Sequence, residues 1–89
     1  MKVAVFGATG RTGQAITRLL VDRGHTVRIS YRDDAKLAKL FPEEVRAKLD
    51  ARKGRIQDAQ FVAEFVKDQD VVVSALGGIS WFGTSTLTY

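Results

Sequence analysis

Short apolar runs alternate along this chain with stretches whose apolar residues recur every three or four positions. Lys2 to Phe6 is almost wholly apolar, the pattern of a strand buried on both faces of a parallel sheet. From Arg11 to about Arg23, Ala15, Ile16, Leu19 and Leu20 mark an amphipathic helix, and Gly24 is placed to end it. Thr26 to Ser30 reads as a second strand, less buried because it carries Arg28. Asp33 or Asp34 can cap the next helix, which shows Leu37, Leu40 and Phe41 on one face before Pro42 interrupts it. Pro42 suits the first turn of a renewed helix running to Leu49, with acids early, bases late and apolar residues four apart. A short third strand is expected over Lys53 to Gln57, around Ile56. Asp58 then caps a helix containing Val62, Phe65 and Val66, and Asp70 to Leu76 forms a strongly apolar fourth strand. Gly77 to Tyr89, with Trp81, Phe82 and a Ser/Thr-rich end, shows no clear period.

Strands alternating with helices imply right-handed crossovers and a parallel sheet in an α/β, three-layer arrangement. The expected strand order is 3-2-1-4, half of a doubly wound Rossmann-type fold. Its ligand crevice should lie at the carboxyl ends of strands one and four. Strand four, with Val71, Val72 and Val73, would then be an unpaired apolar edge that invites self-association. No repeat, linker or second domain interrupts residues 1 to 89.

With 89 residues, 45 % apolar and 27 % charged, the chain describes one globular unit near the lower limit of domain size. It buries only roughly 60 to 65 % of its unfolded surface, so its stability is expected to be marginal. The absence of cysteine excludes disulfides, thiolate metal sites and cysteine nucleophiles. The single histidine, His25, lies between a helix and a strand, where a solvated turn residue is expected, and one histidine makes no metal cluster. A net charge of +4 favours anionic partners, but the basic residues are dispersed and show no nucleic-acid signature. No apolar stretch approaches membrane-spanning length and Met1-Lys2 enters a strand at once, so the expected setting is cytoplasmic, without nucleic acid or membrane as partner.

The chemistry concentrates at Gly7-Ala8-Thr9-Gly10-Arg11-Thr12-Gly13, between the first strand and the first helix. Gly7 permits a tight exit from the strand, Gly10 lets backbone N–H groups approach a pyrophosphate, and Gly13 lets the helix lie close to the strand. The positive end of the helix then faces the anion, so the segment reads as a dinucleotide-binding loop. The plainer alternative is a strand-to-helix turn without a ligand.

Val5 to Gly13, Tyr31-Arg32-Asp33 and Asp70 to Gly77 together make the chain resemble the extended and atypical short-chain dehydrogenase/reductases. The resemblance is nearest to NmrA-like proteins and the single-domain biliverdin and flavin reductases, and it covers only the first half of a family domain. It implies that Ala75, Leu76 and Gly77 lie beside the nicotinamide-side ribose. An NAD-selective site usually has an acid at the end of strand two, but Ser30, Tyr31 and Arg32 stand there. A guanidinium pairs with a 2′-phosphate that an acid would repel, so Arg32, with Arg11 and Ser30, favours NADP over NAD. Arg32 and Arg11 also have a plainer reading as solvated residues beside helices. Family members usually carry an acid after the glycine that ends the third crossover, where it helps to hold the adenine. Here Arg55 follows Gly54, and Ile56 is left to form one wall.

The resemblance implies the NADP(H)-binding portion of a reductase that passes hydride to a small organic acceptor. The Tyr-x-x-x-Lys acid/base pair of many members is missing: Tyr31 has no lysine four residues on, and Tyr89 is the last residue. Catalytic residues are therefore not assigned, and catalysis by this chain alone is not expected. The alternatives are an NmrA-like dinucleotide-binding sensor without turnover, and a non-binding module held by strand pairing.

Overall fold

The computed structural model describes residues 1–76 and the backbone of 80–83. Strands β1 (Lys2–Phe6), β2 (Thr26–Tyr31), β3 (Leu49–Lys53), β4 (Val71–Ser74) and β5 (Ser80–Gly83) form one sheet in the order β3-β2-β1-β4-β5. The first four are parallel in the expected 3-2-1-4 order, and β5 is antiparallel to β4. Helices α1 (Arg11–Asp22), α2 (Asp34–Leu40), α3 (Glu43–Arg46) and α4 (Ala59–Val66) provide the crossovers.

The period of two along the strands divides the core between the faces of the sheet. Val3, Val5, Val27, Ile29 and Val73 point to one face, where Ile16, Leu20 and Val21 of α1 and the buried Leu37 and Phe41 pack on them. Ala4 and Val72 point to the other, under Phe65 of α4 and its neighbours Phe61 and Phe6. Phe65 is fully buried, with ring centroids 4.7 Å from Phe6 and 5.6 Å from Phe61. Arg28 and Asp50 project to the α4 face from paired positions on β2 and β3 and form an ion pair at 2.9 Å. The Arg28 guanidinium also donates to the carbonyls of Phe65 at 3.0 Å and Lys67 at 3.3 Å, so a strand side chain seals the carboxyl end of α4.

Four expectations need correction. The third strand is Leu49–Lys53, not Lys53 to Gln57: Leu49 and Ala51 pair with Val27 and Ile29, and this pairing outweighs the continuation of the helix, which stops at Arg46. Ile56 lies beyond the strand in a turn and is 41 % exposed. On α1, Gly13 and Thr17 are buried while Ala15 and Leu19 face outward, because the close approach at Gly13 sets the helix rotation. Strand four is not an unpaired edge, since Ser80–Gly83 pairs with it from Val71↔Gly83 to Ser74↔Ser80, and an edge for self-association is absent there.

Candidate dinucleotide-binding site

Gly7 leaves β1 with φ +76, a conformation that side chains rarely adopt, and the chain turns at once: the Gly10 N–H donates to the Gly7 carbonyl at 3.1 Å. A Cβ added to Gly7 would also lie 3.0 Å from the Ala75 carbonyl carbon and 3.1 Å from Leu76 Cδ2, so the ends of β1 and β4 are in contact. At Gly13 the restriction is absolute, because a Cβ there would meet the Gly7 oxygen at 1.9 Å. The helix therefore starts directly against the backbone of the turn.

Gly10 is the N-cap of α1, without a side chain to cap the first turn, and no acid lies in that turn. The other two strand-to-helix turns are different. Asp33 accepts from the N–H groups of Ala35 and Lys36, and Asp58 from those of Gln60 and Phe61. The positive end of α1 thus lacks the carboxylate that its counterparts carry, which leaves donors for an anionic group.

Around this loop, the carboxyl ends of the parallel strands form two adjoining clefts that share Thr9, Arg32 and Gly54. The smaller, about 170 Å³, is lined by Gly7, Thr9, Ser30, Tyr31, Arg32, Gly54, Ile56, Gln57 and Leu76. The larger, about 640 Å³, is lined by Thr9, Arg32, Asp33, Lys36, Lys53, Gly54 and Arg55. The crevice therefore extends from β4 across β1 to β3, farther than the β1–β4 junction expected from the sequence.

Of the residues singled out from the sequence, Gly7, Thr9, Ser30, Arg32, Ile56 and Leu76 meet in the smaller cleft. Gly10 and Gly13 line neither cleft but lie against the Gly7 carbonyl, and Ala75 donates its N–H to the Phe6 carbonyl at 3.0 Å beside Gly7. Arg11 and Thr12 are exposed on the first turn of α1 and line neither cleft. Gly77 lies outside the described residues. Lys36 and Lys53 went unmarked in the sequence. Lys36 is one helical turn beyond Arg32, a detectable spacing, whereas Lys53 reaches the cleft only because β3 pairs it with Tyr31.

The charges at the rim are ordered. Lys53 Nζ pairs with Asp34 at 2.7 Å, which lowers the Asp34 pKa and raises that of Lys53. The Tyr31 phenol is pushed above its ordinary value, first by burial and then by the Asp34 carboxylate beside it. A phenol shifted upward keeps its proton at neutral pH, so Tyr31 is a hydrogen-bond donor there and not an activated base. Among the described residues no group of histidine and acid side chains is arranged to hold a metal, and no helix is long and apolar enough to cross a membrane.

A family model described as NAD(P)H-binding matches residues 7–86. The chain is 35 % identical over 75 residues to a probable pinoresinol-lariciresinol reductase 3 of Arabidopsis thaliana, covering 84 % of this chain and 24 % of that protein. It is 37 % identical over 75 residues to the oxidoreductase stcQ of Emericella nidulans, covering 78 % and 27 %. Among solved structures, AtPrR2 with NADP+ and (+)pinoresinol superposes with a TM-score of 0.73 at 31 % identity, covering 86 % of this chain and 26 % of that one. The chain spans about a quarter of the length of these relatives.

Proposed function

The chain belongs to the NAD(P)H-binding family, and from that premise we propose that it is the NADP(H)-holding part, a single half-domain, of a cytoplasmic short-chain-type reductase of the NmrA-like kind. The observation that carries this reading is the bare amino end of α1, set against Gly7 in a loop whose Thr9 lines a cleft rimmed by cations. The pyrophosphate fits the N–H groups of the Gly7–Gly13 loop, which hold it without the reorganisation that water would need. Arg11 and Thr12, on the exposed first turn, border that group. Ser30 and Arg32 at the end of β2 take the adenine-side ribose and its 2′-phosphate. Ile56 forms an apolar wall for the adenine, and Ala75 and Leu76, followed by Gly77, lie toward the nicotinamide-side ribose.

A bound NADPH supplies the hydride, and the protein supplies position and electrostatics. The chain's own residues hold and orient the dinucleotide through backbone donors and fixed positive charge. The AtPrR2 structure with NADP+ and the two relatives named as reductase or oxidoreductase support this reading. A small organic molecule is the proposed hydride acceptor, and its site lies in sequence corresponding to the other three quarters of the relatives.

Titration of the full chain with NADPH and NADH by calorimetry tests the proposal. NADPH is expected to bind at least about tenfold more tightly than NADH, the effect of one added charge-assisted phosphate contact. Failure of both to bind at millimolar concentration would remove the reading.

A further inference from the structure

The dinucleotide reading uses the carboxyl ends of the strands and leaves the opposite end of the α1 face unexplained. There Val3, Val71 and Val73 form the floor of a groove of about 380 Å³, Ile16 and Leu20 of α1 form one wall, and Met1 and His25 close the lower end. The His25 imidazole is the one polar side chain in this lining, and its Nδ1 lies 3.4 Å from the amino-terminal nitrogen. Small-molecule sites use a few placed polar groups to fix orientation, and this groove offers almost none. The groove exists because α1 covers β1 and β2, while among the described residues no helix follows it over β4 on this face.

The outer side of α1 continues the apolar surface. Leu19 is 53 % exposed, Ala15 is exposed one helical turn before it, and Leu19 neighbours Ile16 at a spacing of three on the groove side of the helix. Met1, 68 % exposed, extends the patch across the groove. Arg18 is turned away toward the Leu40 carbonyl at 2.9 Å and does not shield it. A projecting leucine and a hole on one face are what a two-fold pair requires, since the same patch must serve both copies. A segment lying in the groove alone would cover Ile16 and Leu20 but leave Leu19 in water, whereas a second copy covers all three.

We infer that this face pairs two copies of the chain about a two-fold axis, with Leu19 of each copy seated in the valine-floored groove of the other. The contact is between faces and not edges, because β5 already occupies the edge of β4. A standard pair buries about a tenth of a small protein's surface. For 5923 Å² that is roughly 600 Å² a copy, at the lower limit for a stable pair, so dissociation is expected in the micromolar range.

Sedimentation velocity of the full chain from about 1 μM to about 1 mM tests the inference, the range over which such a pair fills. The sedimentation coefficient is expected to rise from monomer to dimer and stop there, since a two-fold contact closes. Leu19→Glu is expected to weaken the pair at least about a hundredfold, because the carboxylate would enter an apolar groove without a partner. Its urea midpoint in dilute solution should match that of the unsubstituted chain, because Leu19 is exposed in the single copy and glutamate suits a helix as well as leucine. Ile56→Glu, the same charge at an exposed apolar residue by the far end of the sheet, should leave the pair intact. A chain that stays monomeric throughout that range overturns the inference and leaves the groove to another segment or ligand. Association unchanged by Leu19→Glu overturns it too, as does an equal loss in both variants, which assigns the effect to net charge. Growth past the dimer would mean a contact that does not close, and no two-fold pair.

Discussion

Helices α1 and α4 cover opposite faces of one sheet and follow similar strand-to-helix turns, yet they are anchored in contrasting ways. The α4 helix is closed at both ends, by Asp58 at its amino end and by Arg28 at its carboxyl end, and it buries an aromatic ring. The α1 helix has no carboxylate at its amino end and buries a glycine and a threonine. The Thr17 hydroxyl has no hydrogen-bond partner among the described residues, which costs stability in an apolar setting. One helix is thus held for stability, while the other gives up side-chain volume and a cap so that its backbone reaches the crevice.

The contrast is broken most severely at the anchors. Phe65→Ala removes the ring between Phe6 and Phe61 and is expected to cost about 4 kcal/mol, measured as a fall in the urea midpoint at unchanged slope. In a chain this small that is a large share of the total. Gly13→Ala should cost about 3 kcal/mol, although in an exposed helix the same change gains about 1 kcal/mol, because the new methyl meets the Gly7 carbonyl oxygen. It should also abolish NADPH binding, since relief of the clash requires α1 to move away from the loop. A stabilised Gly13→Ala chain would disprove the close approach.

These two anchors differ in how readily the sequence discloses them. Local rules mark β1, the glycine loop and Asp58 as a cap, and narrow the cap of α2 to Asp33 or Asp34, because each depends on neighbours within a few residues; the structure selects Asp33. Leu49 is different: four residues after Val45 it continues a helical stripe, and only its place opposite Val27 on β2 makes it a strand. Ser80–Gly83 likewise has no strand period and is ordered as a strand by the free edge of β4. The misplaced third strand has a consequence for the site. With β3 over Leu49–Lys53, Lys53 lies beside Tyr31 and Arg55 enters the cleft, so the cationic rim could not be assembled from spacing alone. The rotation of α1 was hidden for the same kind of reason, since Thr17 is a poor core residue until Gly13 turns it inward.

A smaller effect is expected at the carboxyl end of α4. Arg28→Met keeps the aliphatic stem and removes the guanidinium that joins Asp50 to the Phe65 and Lys67 carbonyls, at a cost of about 2 kcal/mol. The pH profile separates charge from packing. Asp50 is held below the ordinary carboxylate range first by Arg52 and then by Arg28, against a partial desolvation that acts upward. A depressed folded pKa gives stability that is complete above the unfolded value and is lost as pH falls through the folded one. The unsubstituted chain should therefore lose more stability than Arg28→Met between about pH 5 and pH 2, as read from urea midpoints. Parallel losses would assign the arginine to packing alone.

The finest test gives α1 the cap that α4 already has. Gly10 sits at φ −77 and ψ 167, an extended conformation open to any residue, and a Cβ there would lie 3.4 Å from the Gly7 oxygen, an ordinary contact. Gly10→Asp therefore places a carboxylate over the free amides of the first turn without strain. The helix should gain about 0.5 kcal/mol, from the new cap and from reduced freedom of the unfolded chain. Dinucleotide binding should fall for NADPH and NADH alike, because the carboxylate occupies the donors and repels the pyrophosphate. Stability and affinity moving in opposite directions would show that the bare amino end is kept for a ligand; if both rose, or binding were unchanged, α1 would be only a helix that lacks a cap.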